Sequence, residues 1–325
     1  MTAVENVQAN MNRLGALGQP FFFAFDFELS QAIFSDRPLE EKGFLFSFPL
    51  ATNAPDIPKP KSGDIAYIKA FPEPIEQYAK KFEIAYAGLA RGDSYLLNLT
   101  VATPIECNLS TLEIFQLADS PFRLWVPGRF VSFSPERFVR IQNRRISTCP
   151  MKGTIDAKIP EAEKRILDDH KETCEHATIV DLLRNDLSLN AEEVAVKRYR
   201  YVEAVVTKER TILQVSSEIE GLLPNGWQSK VGDIIVSMLP CGSCSGAPKE
   251  STVGIIQRAE DGPRGYYTGV FGYFDGRDLD SAVAIRFIEE TPNGLRFRSG
   301  GGITNNSKMA DEYQEMLDKI YLPFV

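Results

Sequence analysis

The sequence predicts an α+β fold, with large antiparallel sheets and helices packed outside them. Short β-rich runs crowd the middle and the last third of the chain. Asp275-Gly276 and Asn293-Gly294 are hairpin-turn dipeptides set between such runs. Other segments have the apolar spacing of amphipathic helices.

Taken in order, "FFFAFDF" (Phe21 to Phe27) and "GFLFSFP" (Gly43 to Pro49) read as strands. Ile75, Tyr78, Ala79, Phe82, Ala85, Tyr86 and Leu89 fall on one side of a helix, and Gly92 stands where a C-terminal cap belongs. "SYLLNLTVAT" follows as a strand. Ser110 and Glu113 make a capping-box pattern that starts a short helix. "RLWV", "RFVSFS", "ERFVRIQ" and "RRISTCP" are strands, and Ile159 to about Leu187 reads as helical. "YRYVEAVV" and "RTILQVSSEIEG" are strands again. "GYYTGVFGYF", "LDSAVAIRFIEE" and "LRFRSG" read as an antiparallel meander that runs into Gly300-Gly301-Gly302. A final helix presents Met309, Tyr313, Met316 and Ile320 along one side. The best loop is Asn53 to Asp64, within the domain. No internal repeat, low-complexity tract or linker divides the chain.

Composition narrows the function. The chain has 325 residues, 43% of them hydrophobic and 25% charged, an ordinary globular mix. A net charge of -8 argues against a nucleic-acid partner. No basic start with an apolar run marks a signal peptide, and no run approaches a membrane span. A soluble cytoplasmic protein, with no membrane partner, is therefore expected. Five scattered cysteines do not make a disulfide framework. Two histidines, His170 and His176, are too few for a multi-histidine zinc site. Catalysis is expected to rest on carboxylates, lysines and arginines.

Glu312, Glu315 and Lys319 share one face of the final helix, and Glu172 and Glu175 are one turn apart on an earlier one. If those faces met, the carboxylates would need a cation, and hard oxygen donors favour Mg²⁺. If they do not meet, they are two solvated acidic faces. Lys152, in "CPMKGT", stands just after a predicted strand. Held and partly desolvated it could act as an amine nucleophile; otherwise it is a surface lysine. Glu136, in "FSPERF", reads as a general acid or as a turn residue. Cys241-Gly-Ser-Cys244 has redox-dithiol spacing, but no thioredoxin-like unit surrounds it. The same stretch lacks the Gly-Lys-Ser/Thr of a phosphate loop.

Read together, "SPERFVRI", "PMKGT", "EHATIVDLLRNDL", "SSEIEG", "GSCSGAPK", "GYYTGVFGYF", "LDSAVAIR", "SGGGI" and "DEYQEMLDK" resemble, in order, the chorismate-utilising enzymes. These include anthranilate synthase and aminodeoxychorismate synthase component I and the isochorismate and salicylate synthases. The resemblance covers about residues 92 to 321. It implies two large antiparallel sheets packed around a core with helices outside, as one chorismate-binding catalytic domain over 1–325 with a shortened N-terminal part at 1–91. By resemblance Glu175 and Glu315 would bind Mg²⁺, with Glu172 and Glu312 close by. Arg286 and Lys319 would lie near the substrate carboxylates. Ser243, Gly242, Tyr267, Gly300, Gly301 and Gly302 would line the pocket.

Lys152 separates the members. The anthranilate and isochorismate branches usually have alanine before this Gly-Thr; a lysine there is similar to aminodeoxychorismate synthase. The resemblance then implies attack of Lys152 on ring C2 and protonation of the leaving C4 hydroxyl by Glu136. Ammonia from a separate glutamine amidotransferase subunit would add at C4, giving 4-amino-4-deoxychorismate for p-aminobenzoate and folate synthesis. Anthranilate synthase component I is the alternative, and isochorismate synthase a more distant one. Leu96 stands where relatives usually carry Gln or, in water-adding members, Lys. Gln214 stands where they usually carry His. The short N-terminal part implies no tryptophan-binding pocket.

Overall fold

The computed structural model describes residues 1–55, 66–206 and 211–322. Most of the expected loop at Asn53 to Asp64 lies outside them. The N-terminal region supplies helix α1 (Ala3–Ala16), strands β1 (Phe21–Phe25), β2 (Ala32–Ser35), β3 (Leu45–Ser47) and β4 (Ile68–Ala70), and helix α2 (Ile75–Ala90). Strand β5 (Leu96–Cys107) and helix α3 (Thr111–Leu117) follow. Next come β6 (Phe122–Val126), β7 (Phe130–Ser134), β8 (Arg137–Gln142), β9 (Arg145–Thr148) and β10 (Met151–Asp156). Helices α4 (Ala162–Asp168) and α5 (His170–Ser188) lead to the long pair β11 (Glu192–Val206) and β12 (Thr211–Leu222). Helix α6 (Val231–Ser237), strand β13 (Gly246–Ala247) and helix α7 (Lys249–Ala259) precede β14 (Val270–Phe274) and β15 (Leu279–Val283). The described chain closes with β16 (Phe287–Thr291), β17 (Gly294–Ile303) and helix α8 (Met309–Asp318).

The strands form two sheets. One runs β10-β12-β9-β8-β15-β14-β1-β2, with β11 also on β12; the other runs β13-β5-β17-β16-β7-β6-β3, with β4 also on β5. Strand β1 shows why they pack together. Alternate residues of a strand point to opposite faces, and both faces of β1 are apolar. Phe21, Phe23 and Phe25 enter the core beneath α1, α5 and α6. Phe22 and Ala24 face the second sheet, where Phe22 packs 4.6 Å from the Phe44 ring and 5.1 Å from that of Phe46. On the far side of the second sheet, α2, α7 and α8 cover β5 through Tyr78, Phe82, Ile255 and Met316. The α+β prediction, with two antiparallel sheets and helices outside, is the observed architecture.

Three local expectations need correction. The helical run from Ile159 to Leu187 is two helices. Asp169 is extended (φ -66°, ψ 115°), and its Oδ1 accepts a bond from Glu172 N at 2.9 Å, ending α4 and capping α5. The meander is two hairpins in different sheets. "LDSAVAIRFIEE" leaves the first sheet after Val283 and joins the second at Phe287, turning at Arg286 with φ +49°. Its apolar residues continue through the crossing because both sheets bury them, so the pattern shows no break. Lys152 lies within β10, rather than just after a strand. Helix α1 was not read from the sequence, although Thr2 and Glu5 form its capping box.

Candidate active site

Lys152 and Gly153 form a bulge. Met151 pairs with Ser216 and Thr154 with Gln214, so β10 holds one residue more than β12 over this span. Gly153 takes φ +81°, a conformation glycine adopts without a Cβ clash. The bulge re-aims Lys152, whose side chain is 20% exposed and whose Nζ lies 3.7 Å from Glu175 Oε2. Burial alone would lower its pKa. The carboxylates of Glu175, Glu315, Glu172 and Glu136 outweigh that and hold it above the ordinary lysine value. Without metal or substrate, then, Lys152 is an ammonium.

The two acidic faces do meet. Helix α5 brings Glu172 and Glu175, and α8 brings Glu312 and Glu315, on either side of the triple glycine of β17. A Cβ on Gly301 would stand 3.4 Å from Glu312 Oε2 and 3.5 Å from Glu315 Oε1. A Cβ on Gly302 would stand 3.3 Å from each of Glu175 Oε2, Lys152 Nζ and Leu96 Cδ1. Three lysines interleave with the acids. Lys171 Nζ reaches Glu312 Oε1 at 2.7 Å and Glu175 Oε1 at 3.8 Å. Lys319 Nζ donates to Glu315 Oε1 at 2.8 Å and to Gly300 O at 2.7 Å. Burial pushes the Glu175 carboxyl up to about 7 against the pull of Lys152, and burial raises Glu172 as well. Burial would also raise Glu315, but Lys319 beside it brings its pKa below the usual value.

Glu136 sits between β7 and β8, and its Oε1 accepts a 2.5 Å bond from the Ser243 hydroxyl. Burial raises its pKa, opposed by that bond and by the charges of Lys152, Arg286 and Lys319. Arg286, at the crossing between the sheets, donates from Nε to the Tyr321 hydroxyl at 3.2 Å. Tyr267 is buried with its ring centroid 5.8 Å from that of Phe287. Gly242 backs onto α5: a Cβ there would meet Leu182 Cδ2 at 2.8 Å. On Gly300 it would run into Leu99 O, so this glycine serves the close approach of β17 to β5. Gln214 Nε2 turns to Met151 Sδ, beside Lys152. Cys241 and Cys244 are buried free thiols. Burial and the Glu136 charge push Cys241 up to about 12, and burial puts Cys244 well above its ordinary value. Neither has the low thiol pKa of a redox pair.

Among the described residues, no three His, Cys, Asp or Glu side chains already stand together as a metal-holding group. The donor set nevertheless suits Mg²⁺. The oxygens on offer are hard carboxylate donors, and Glu175 Oε1 and Glu312 Oε2 are buried without hydrogen-bond partners. Sequence reasoning missed Lys171, although it precedes Glu172 and stands one turn before Glu175. It also missed Tyr321, which accepts from Arg286 and for which the sequence has no signal beyond residue type.

Residues 21–323 match the family described as chorismate binding enzyme. The chain belongs to that family. It is 50% identical over 317 residues, 96% of each chain, to an uncharacterized PabA-like protein of Pasteurella multocida. It is 31% identical to aminodeoxychorismate synthase component 1 of Escherichia coli, over 75% of this chain and 56% of that one. Anthranilate synthase component 1 of Haloarcula marismortui is 33% identical, over 75% of this chain and 52% of that one. This chain thus spans about half the length of those synthases. Among solved structures, anthranilate synthase component I of Streptococcus pneumoniae superposes with a TM-score of 0.65 at 26% identity, covering 81% of this chain and 61% of that one. No helix among the described residues is long and apolar enough to cross a membrane.

Proposed function

We propose that this chain is the aminating component of an aminodeoxychorismate synthase, converting chorismate and ammonia to 4-amino-4-deoxychorismate with Mg²⁺ bound. The observation behind this reading is Lys152, aimed by its bulge at the space beside Gly302, with Glu136 in its electrostatic field. Glu175 and Glu315, with Glu172 and Glu312 beside them, would hold the metal. Bound Mg²⁺ would hold the ring carboxylate and offset the carboxylate charge around Lys152, leaving burial to favour the neutral amine.

Lys152 Nζ then forms a bond to ring C2, both ring double bonds shift by one position toward C4, and the C4–O bond breaks. Glu136 gives its proton to that oxygen, which leaves as water. Its raised pKa suits an acid that must be protonated, and the Ser243 bond to Oε1 leaves Oε2 to hold the proton. Ammonia bonds to C4, both double bonds shift back, and the C2–Nζ bond breaks, releasing Lys152 as the amine. Arg286 and Lys319 would face the substrate carboxylates. Gly300, Gly301 and Gly302, with Gly242, Ser243 and Tyr267, would wall the pocket. A glutamine amidotransferase partner would supply the ammonia. Leu96 offers no base beside Gly302 to activate water, which disfavours isochorismate formation.

The test is the product. Purified protein with chorismate, Mg²⁺ and ammonium is expected to form aminodeoxychorismate without pyruvate. Pyruvate released together with anthranilate would instead establish anthranilate synthase, the second reading, which the similarity to the Haloarcula enzyme keeps open. Lys152→Ala is expected to slow amination by about a hundredfold or more.

A further inference from the structure

Lys171 is absent from the roles above, yet it bridges two of the carboxylates, Glu175 and Glu312. It projects from the first turn of α5 and joins that helix to α8, with Nζ 2.7 Å from Glu312 Oε1 and 3.8 Å from Glu175 Oε1. Glu312 is 1% exposed and Glu175 5%. Carboxylates so buried need a compensating charge. Lys171, with Lys152 on the other oxygen of Glu175, compensates them incompletely, since Glu175 Oε1 and Glu312 Oε2 keep no hydrogen-bond partner. A cation bonded to oxygen at about 2.0–2.1 Å, as Mg²⁺ requires, would draw on both carboxylates. It would also stand within a few ångströms of Nζ, where two cations repel.

We infer that Lys171 is the cluster's own counter-ion in the metal-free protein, and that Mg²⁺ enters by taking its place. The inference rests on the metal reading given above. The exchange falls to Lys171 because its neighbours are less free. Lys319 is held by both Gly300 O and Glu315, and the Lys152 side chain is 20% exposed against 31% for Lys171, with less access to water. The Lys171 side chain is 31% exposed and can swing to water without unfolding the helix. Lys171 thereby keeps α5 and α8 together before the metal arrives, and weakens metal binding by competing for the same oxygens.

The experiment is calorimetric titration of MgCl₂ alone into the wild-type chain, Lys171→Met and Lys171→Gln, with thermal melts in EDTA and in Mg²⁺. Both variants are expected to bind Mg²⁺ about tenfold more tightly than wild type. In EDTA their Tm should be lower, and Mg²⁺ should raise it by more than in wild type. Measurable binding by wild type with equal or weaker binding by a folded variant overturns the counter-ion role and leaves the metal reading standing. Binding by none of the three proteins overturns both. The glutamine variant, which can still donate to Glu312, decides the matter if the methionine variant does not fold.

Discussion

A lysine in a β-bulge has its direction set by the backbone, which is how Lys152 escapes the solvated fate of most lysines. The sequence showed the residue type and the following Gly153, but the extra residue exists only relative to β12. Glu136 is similar. Its place between two strands was legible, whereas its 2.5 Å bond to Ser243 joins residues 107 positions apart. If Glu136 is the proton donor, amination should proceed above the ordinary carboxyl pKa of 4.5, because burial raises its own. The rate should fall as pH rises through that raised value. Glu136→Gln should flatten this limb of the kcat–pH profile and lower kcat by about a hundredfold; an unchanged limb would assign it to another group. The cysteines invite a different measurement. With Cys241 pushed up to about 12, iodoacetamide at pH 8 should label exposed Cys174 and spare Cys241 and Cys244, as mass spectrometry would show.

At the scale of elements, end signals were the most readable feature. Ser110 and Glu113 form their capping box, and Gly92 takes φ +82° just past α2. The signal at Asp169 is weak in the sequence because a charged residue inside a helical pattern looks like one more exposed position. Its role as cap has a measurable cost. Asp169→Ala should lower stability in urea unfolding by about 1 kcal/mol. It should also fray the turn that carries Lys171 and Glu172; a variant as stable as wild type would show that tertiary packing alone holds that turn. The crossing at Ala284–Arg286 lay beyond pattern reading for a different reason. Strand periodicity reports which residues are buried, and the residues on both sides of this crossing are buried, though in different sheets.

Across the whole molecule, Arg264 ties the parts together. Its guanidinium donates to Cys244 O at 2.7 Å, to Asn98 O at 2.6 Å and to both oxygens of Glu260, which in turn accepts from Thr100 N. These bonds join α7, β5 and the turn holding Ser243. Arg264→Ala would leave the Glu260 carboxylate buried without its ion-pair partner, a loss of about 3–5 kcal/mol by denaturant unfolding. A loss under about 1 kcal/mol would mean that water replaces the guanidinium freely. Similar reasoning explains the N-terminal region. Within residues 1–91, β1 pairs with both β14 and β2 inside the first sheet and supplies phenylalanines to two cores.

Local chemistry was enough to determine where most helices and strands lie, which residues are apolar enough to fill the core, and which acids share a helix face. Those properties depend on neighbours within a turn or two of chain. Tertiary structure alone decided that the α5 and α8 faces meet across the triple glycine, that lysines stand between their carboxylates, and that one apolar run divides between two sheets. Each of these depends on groups tens to hundreds of residues apart. Their energies come from burial and charge at a distance that no local pattern encodes.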